Sequence, residues 1–250
     1  MIFYFTGTGN SLYVAKKIGG NLVSIAQAAR EQGQFYHDDV IGFVFPTYAV
    51  GIPRIVKKFV LNNRFEAEYS FAVMTCGGVL GSSLMSFEKM AEAQGLKLDY
   101  TNKVTMIDNY GVQSMDKKLR KHIPQKENAR IEEIAVAIQR RHHSLMRSNL
   151  LVQGFTKLMN ASSGFCYDDA DKHFTVRTEQ CVKCGLCRDI CPAGNIALIP
   201  YPVFSHKCEG CYACIHSCPR KAISPNSHTV KVQYRHPGIK QKEILMGNKK

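Results

Sequence analysis

Residues 2–11 read IFYFTGTGNS, an apolar run that passes directly into a glycine-rich turn. The apolar part, residues 2–5, is typical of a buried parallel strand, and a helical pattern follows from Ser11 to about Ile18. The two glycines allow a tight turn, so that hydroxyl, amide and backbone N–H groups converge at the start of the helix. This arrangement predicts a phosphate site that needs no lysine.

Other glycine-rich motifs fit this turn less well. A Walker A loop is excluded because no Gly-Lys-Ser/Thr follows, and the third glycine of a dinucleotide-binding turn is missing. An ordinary glycine-rich turn stays open as an alternative. The position of the turn, directly after the first predicted strand, favours the phosphate site.

Strand-like and helix-like segments alternate through the first 150 residues. Apolar runs predict four further strands, at residues 21–25, 39–45, 69–76 and within 96–107. Apolar residues at helical spacing predict helices around residues 52–60, 83–94 and 131–145. Five strands that alternate with helices indicate an α/β fold with a parallel sheet and right-handed crossovers.

Eight of the ten cysteines form two copies of one pattern. The pattern C-x2-C-x2-C-x3-C-P occupies residues 181–192 and again residues 208–219, so the second copy lies 27 positions after the first. This spacing is the ligand run of bacterial two-cluster ferredoxins. It predicts two [4Fe–4S] clusters and a role in moving electrons.

The spacing also predicts how the cysteines are shared. Three cysteines at close intervals can surround one cluster, and the proline after the fourth redirects the chain, so the fourth cysteine binds the other cluster. Cluster I is then expected on one set of four thiols, Cys181, Cys184, Cys187 and Cys218. Cluster II is expected on the other set, Cys208, Cys211, Cys214 and Cys191.

Other uses of these cysteines are less consistent with the pattern. Zinc sites use four ligands in two pairs rather than three with a distant fourth. Disulfides are disfavoured because nothing marks the chain as secreted and cytosolic thiols stay reduced. Cys76 and Cys166 lie outside the pattern and are expected to be small buried hydrophobic residues.

The chain is strongly basic, with a formal net charge of +13. Basic residues gather at 117–121, at 140–143 and near the end of the chain. Solvated helix faces and a mobile tail are one interpretation, and a docking face for an acidic redox partner is the other. No recognised motif supports nucleic-acid binding. No signal peptide or membrane-spanning segment is expected, so a cytoplasmic protein is predicted.

The turn at residues 6–11 resembles the phosphate loop of flavodoxins, which holds FMN. Flavodoxin-like sheets bind FMN at the carboxyl ends of their strands, and the loops after strands three, four and five leave that same edge. The resemblance implies that Tyr48 stacks on the flavin, although an ordinary loop tyrosine is an alternative. The implied FMN-binding residues are Thr6, Gly7, Thr8, Gly9, Asn10, Ser11, Pro46, Thr47, Tyr48, Ala49, Gly77, Gly78, Val79, Gly81 and Asn109.

The whole chain resembles a family in which a flavodoxin-like domain is fused to a two-cluster ferredoxin. It implies a five-stranded doubly wound sheet followed by a small α+β ferredoxin-like domain. The expected divisions are an FMN-binding domain over residues 1–147, a linker over 148–172, a ferredoxin-like domain over 173–235 and a basic tail over 236–250. Two features depart from the family pattern: the acidic surface of free-standing flavodoxins is absent, and the loop after strand four is short.

The resemblance implies an electron-transfer protein that links FMN and two clusters to a separate oxidoreductase. A second hypothesis is an enzyme, a flavin-dependent reductase that acts directly on NAD(P)H or a small acceptor. The lack of a separate dinucleotide-binding domain favours the carrier. A third hypothesis is a scaffold whose flavin fold is empty.

Overall fold

Five parallel strands form the main sheet of the structure, a computed structural model that describes residues 1–167, 170–226 and 228–248, with the backbone alone for 160–167. The strands pair in the order β2-β1-β3-β4-β5. This is the flavodoxin-like order of a doubly wound sheet, and it confirms the predicted fold class. The strands are β1 (Ile2–Tyr4), β2 (Leu22–Ser24), β3 (Phe35–Pro46), β4 (Arg64–Cys76) and β5 (Tyr100–Thr105).

Helices connect the strands and cover the sheet. Two pairs of these helices, the first with the sixth and the third with the fourth, pack against each other around the sheet. The helices of this part are α1 (Asn10–Ile18), α2 (Ile25–Ala28), α3 (Arg54–Leu61), α4 (Ser83–Glu92), α5 (Met115–Lys121) and α6 (Pro124–Gln139).

Aromatic rings fill the centre of the core. Phe3 lies with its ring centroid 5.4 Å from that of Phe43 and 4.9 Å from that of Phe59. The ring of Phe71 lies directly over Gly42, so that any side chain at Gly42 would collide with it. The small residue in β3 is therefore required by the large residue opposite it in β4, where the two are register partners.

The long strands β3 and β4 begin earlier than the apolar runs predicted. The first half of β3 alternates between exposed and half-buried residues, and full burial begins only at Ile41. Polar residues such as His37 and Asp38 pair with β4 here without entering the core. The last helix of this part ends at Gln139 rather than near Leu145, because Arg141 takes a left-handed backbone conformation (φ 50°).

The cysteine-rich part is a structural duplication. Its backbone turns into the left-handed region at Lys183, Gly185 and Gly194, and again 27 residues later at Gly210, Tyr212 and Lys221. Its elements are β6 (Phe174–Val176), α8 (Leu186–Asp189), β7 (Ile196–Leu198), β8 (Pro202–Phe204), α9 (Ala213–Ser217) and β9 (Ile223–Pro225). β6 pairs with β9 and β7 with β8, both antiparallel.

The predicted linker contains a long helix, α7 (Leu150–Tyr167). Its Thr156 is buried, and the Thr156 hydroxyl accepts a hydrogen bond from the Ser82 amide at 2.9 Å. This contact fixes the first half of α7 against the loop after β4. The side chains of residues 160–167, including the expected buried Cys166, lie outside the described residues, as do residues 168 and 169 of the expected domain junction.

Most of the described part of residues 236–250, the predicted basic tail, is a helix in the structure. Helix α10 (Gln241–Asn248) packs against β2 and α2. Ile244 is buried in the main core, and the carbonyl of Gly247 accepts a hydrogen bond from the Ser24 hydroxyl. The four lysines of residues 236–250 obscure this apolar contact in the sequence. Lys249 and Lys250 lie outside the described residues.

Within the described ranges, the structure contains no helix that is long and apolar enough to cross a membrane.

Candidate functional site

The predicted phosphate loop connects β1 to α1 and is buried. The Thr6 hydroxyl accepts a hydrogen bond from the Gly9 amide at 2.9 Å, which closes the turn. Gly9 has a φ of 100°, a conformation that a glycine adopts without strain. Ser11 bonds through its hydroxyl to the Thr75 hydroxyl of β4 at 2.9 Å. The loop is thereby fixed to the sheet edge at both ends.

The backbone N–H groups of this loop fit an anion. Among the described residues, the amides of Gly7, Thr8, Asn10 and Ser11 have no hydrogen-bond partner. Three of these four residues are buried. Buried N–H groups without partners are rare and costly, and those at the start of a helix bind anions. The residues present therefore fit a phosphate group.

The loops after β3, β4 and β5 meet the phosphate loop at one pocket. Ten of the sequence-predicted FMN residues line it: Thr6, Gly7, Thr8, Asn10, Ser11, Pro46, Thr47, Tyr48, Gly77 and Asn109. Gly9, Ala49, Gly78, Val79 and Gly81 do not line it. Four residues outside the predicted set complete the lining, namely Thr75, Cys76, Ile107 and Asp108. Cys76 is 5% exposed, in keeping with a small buried hydrophobic residue at the pocket wall.

The loop after β3 is held in a tight turn. The amide of Tyr48 donates to the carbonyl of Gly51 and the amide of Gly51 donates back to Tyr48. Between them Ala49 and Val50 both have positive φ angles, 42° and 55°. Such conformations are strained for residues with a side chain. The Tyr48 ring is half-buried and lies edge-on to Phe5, with the centroids 6.3 Å apart.

The loop after β4 is only partly covered. Thr156 of α7 lies so close to Gly81 that a side chain at Gly81 would collide with its hydroxyl. Gly77 and Gly78 are exposed and Val79 is 67% exposed. One end of this loop is therefore fixed by α7 while the other faces solvent.

The first cysteine set lines a cavity of its own. The cavity is bordered by all four thiols predicted for cluster I, Cys181, Cys184, Cys187 and Cys218. Burial, followed by the nearby thiols of Cys218, Cys184 and Cys181, raises the pKa of Cys187 to about 11. The fold therefore brings Cys218 of the second run to the three close-spaced cysteines of the first.

The second set shows the reciprocal exchange. Burial raises the pKa of Cys211, and the thiols of Cys191 and Cys208 raise it further. Burial likewise raises the pKa of Cys208 to about 12, with a further contribution from Cys191. Cys191 of the first run thus lies with the close-spaced cysteines of the second. In the described part of the chain no three His, Cys, Asp or Glu side chains are grouped to hold a single metal ion.

Backbone amides point at the sulfurs in both copies. The Asn195 amide donates to the Cys191 sulfur at 3.3 Å, and the Ala222 amide, 27 residues later, donates to the Cys218 sulfur at 3.2 Å. The Gly210 amide donates to the Cys208 sulfur at 3.3 Å. Such bonds stabilise the negative charge of thiolates that bind metal.

The second cysteine run packs directly on the phosphate loop. The carbonyl oxygen of Cys211 lies against Gly7, where a side chain would collide with it. The Asn109 side-chain amide donates to the Thr8 hydroxyl at 3.0 Å and to the Cys211 carbonyl at 3.3 Å. Cys211 and Ala213 belong to the same buried core as the sheet. The flavin-type pocket and the cysteine sites therefore share one interior.

Three residues near this contact were not identified as site residues. His216 bonds through Nε2 to the Asn109 carbonyl at 2.8 Å, and its Nδ1 accepts from the Tyr234 amide. Tyr234 donates its hydroxyl hydrogen to the Asn10 side chain at 2.7 Å. The His236 amide donates to the Thr8 carbonyl at 2.9 Å. His216 lies within the second cysteine run, whereas Tyr234 and His236 follow it in the segment YRHPGI, residues 234–239.

Comparisons with known proteins support the prediction that the cysteine-rich part binds iron–sulfur clusters. Residues 174–197, which include the first cysteine run, match the family described as 4Fe-4S binding domain. The polyferredoxin protein MvhB of Methanothermus fervidus is 32% identical over 76 residues, which are 30% of this chain and 17% of that protein. The chain thus spans less than a fifth of the length of this relative.

Solved structures similar to the first part of the chain include two flavoproteins. A putative flavoprotein from Bacteroides uniformis is 14% identical and covers 48% of this chain and 97% of its own, with a TM-score of 0.34. The flavodoxin of Megasphaera elsdenii is 18% identical and covers 54% of this chain and 98% of its own, with a TM-score of 0.32. The assignment of the fold rests on the strand order rather than on these scores.

The strand order gives the first part of the chain a flavodoxin-like fold, and residues 174–197 of the cysteine-rich part match the 4Fe-4S binding domain family.

Proposed function

We propose that the protein transfers electrons between FMN and two [4Fe–4S] clusters and exchanges them with a separate oxidoreductase. The observation that carries this proposal is the contact of Cys211, a predicted ligand of cluster II, with Gly7 of the phosphate loop. Two independent carriers joined by a flexible linker would not need to share a core. A direct contact between the two cofactor sites favours a single electron path.

The FMN site is built from the pocket at the carboxyl edge of the sheet. The free amides of the phosphate loop would bind the phosphate, and the loops that begin at Pro46 and Gly77 would flank the ring. Bound FMN would supply exchange of two electrons together or of single electrons. The residues of the pocket bind and orient the cofactor, and Tyr48 remains our candidate for ring stacking.

The clusters would be held by the two exchanged sets of cysteines. Cluster I takes Cys181, Cys184, Cys187 and Cys218, and cluster II takes Cys208, Cys211, Cys214 and Cys191. Bound clusters would supply single-electron exchange. The apolar surroundings of Ile190, Ile215 and Ile223, all fully buried, would keep water away from the sulfurs.

We also propose a revised division of the chain. Residues 1–147 form the FMN-binding unit, residues 148–172 link it to the ferredoxin-like unit, and residues 173–235 hold the clusters. Residues 236–248 return to the first unit, since His236 contacts the phosphate loop and Ile244 enters its core.

A flavin-dependent reductase is the second candidate. The exposure of Gly78 and Val79 favours it, because a flavin with one open face could meet NAD(P)H or a small acceptor directly. The closed contact between the phosphate loop and the second cysteine run favours the carrier. Both candidates use the same cofactors and differ in what reaches the flavin.

Anaerobic purification with iron and flavin analysis tests the proposal. We expect about eight irons and about one FMN per chain, and the EPR signals of two reduced cubane clusters. About four irons, or zinc in place of iron, would contradict the two-cluster assignment. Rapid mixing with NADH and NADPH then separates the candidates, since fast bleaching of the flavin absorbance by either one favours the reductase.

A further inference from the structure

The two cysteine sets differ in how they meet solvent. Cys208, Cys211 and Cys214 are all buried, and their run faces the sheet. Cys184 is exposed and Cys181 is partly exposed. If electrons enter or leave through a protein partner, as the proposed function requires, the thiols of the first set are the accessible ones.

Apolar side chains surround this exposed end. Val182, between the first two cysteines, is 58% exposed, and Ile199 on the adjoining β7–β8 turn is 73% exposed. The two segments meet where the Lys183 ammonium lies 4.7 Å from the centre of the Tyr201 ring. Exposed apolar residues beside a predicted redox centre are typical of the central part of a protein interface.

Positive charges border the apolar centre. Lys183 and Arg220 line the cavity of the first cysteine set. Arg220 also lines an adjoining groove together with Arg177, Lys221 and Lys231. Neither lining contains an aspartate or a glutamate. We call this surface, formed by Val182, Lys183, Arg220, Lys221 and Lys231, the cluster I face.

The other large basic cleft has a different charge balance. It lies between α3 and the second cysteine run and includes Arg54, Lys58 and Lys207, but also Glu209. The Glu209 carboxylate lies 3.9 Å from Arg54 and accepts a hydrogen bond from the Ile55 amide at the start of α3. Part of the positive charge there is therefore compensated within the chain.

We propose that the cluster I face is the docking site for an acidic protein that carries a one-electron redox centre. This inference rests on the proposed function and adds the place and the charge of the partner. Each exchange moves one electron: the cluster that loses it is oxidised by one and the partner's centre is reduced by one, or the reverse. The positive border would steer the acidic partner, and the apolar centre would exclude water on contact.

The test uses the full-length protein loaded with iron and FMN, and an acidic flavodoxin as the probe protein. Binding is measured by biolayer interferometry at salt concentrations from about 50 mM to about 500 mM. A double variant with Lys221→Glu and Lys231→Glu reverses two charges of the cluster I face. The matched control is Lys57→Glu with Lys58→Glu, which makes the same charge change on α3, beside the other cleft.

We expect the Lys221/Lys231 variant to bind the probe at least about tenfold more weakly at low salt, and the control to change by less than about twofold. The difference should vanish at high salt, since it is electrostatic. The single variant Lys231→Glu, at an exposed side chain, should show part of the effect if the double variant fails to fold.

Equal weakening by both double variants would overturn the inference, as would a larger effect of the control. A single-stranded oligonucleotide could bind more tightly than the probe and lose its binding in the Lys221/Lys231 variant. That result would overturn the proposed acidic protein partner and indicate nucleic acid instead. The binding assay does not depend on electron flow. If the protein binds no FMN when FMN is offered, the proposed function is contradicted. If the same protein still binds the probe in a charge-dependent way, the inference about the docking face is supported.

Discussion

The backbone oxygen of Cys211 lies against Gly7, in the space that a side chain at this position of the phosphate loop would need. The contact joins two sequence motifs that are separated by about 200 residues. It explains why the loop is buried although it lies at the edge of the sheet. It also makes the geometry of the phosphate loop dependent on that of the second cysteine run.

Replacement of Gly7 by alanine should separate the two sites. The added methyl group would collide with the Cys211 carbonyl, and overpacking of this kind costs about 1–3 kcal/mol. We expect the free energy of unfolding to fall by that amount and the affinity for FMN to fall with it. Anaerobic urea unfolding and titration of flavin fluorescence measure the two quantities.

Gly154→Ala is the control for this substitution. Gly154 lies on α7, and a methyl group there would have no neighbour within 4 Å among the described atoms. An alanine should leave FMN affinity unchanged and stabilise the helix by about 0.5–1 kcal/mol. If both alanine variants had the same FMN affinity as the parent, the Gly7 contact would have no functional role.

Cys191→Ala should remove cluster II and spare cluster I. Cys191 belongs to the first run in sequence but lies with Cys208 and Cys211 in space. We expect iron to fall from about eight to about four per chain. The remaining EPR signal should lack any magnetic coupling to a second cluster. Cys76→Ala, outside both sets, should keep the full iron content.

The Cys218→Ala variant tests whether the two cysteine runs exchange their fourth ligands. If each run held its own cluster, Cys218→Ala would destroy the cluster of the second run. Exchange of the fourth ligands predicts instead that Cys218→Ala destroys the cluster of Cys181, Cys184 and Cys187. The rate of reaction with an iron chelator identifies the cluster that survives. The exposed cluster I should react faster than the buried cluster II.

Much of the fold follows from local sequence patterns, and the corrections follow from long-range contacts. Their apolar runs predict β1 and the buried half of β3. Two glycines and three hydroxyl side chains predict the loop between β1 and α1. The outer halves of β3 and β4 lack the continuous apolar run of a buried strand because charged residues interrupt it, although Phe65 is buried. The contact of Asn109 with both Thr8 and Cys211 depends on how the two units dock, which no local pattern encodes.

Asn109→Ala should weaken the junction between the two units. The side-chain amide bonds to Thr8 and to Cys211, and each lost hydrogen bond costs about 0.5–1.5 kcal/mol. We expect faster hydrogen exchange both in the phosphate loop and in the second cysteine run. Asn62→Ala, at an exposed position after α3, should change neither segment. Faster exchange in only one segment would show that Asn109 does not connect them.

Ile244→Ala tests whether the end of the chain is a packed helix. Ile244 is 2% exposed in the main core, and truncation of such a residue costs about 2–4 kcal/mol. Met246 is 64% exposed on the same helix, so Met246→Ala should change stability by less than about 0.5 kcal/mol. Thermal and urea unfolding compare the two variants. A mobile tail would give two equally small effects.

Electron transfer between FMN and the clusters inside one chain is the step that the proposed function requires. Flash photoreduction of the bound FMN under anaerobic conditions, followed at the cluster absorbance, tests it most directly. We predict that the clusters are reduced with a first-order rate constant that does not depend on protein concentration, and that Gly7→Ala lowers this constant. A rate constant that rises in proportion to protein concentration, or clusters that stay oxidised while the flavin is reduced, would contradict the account.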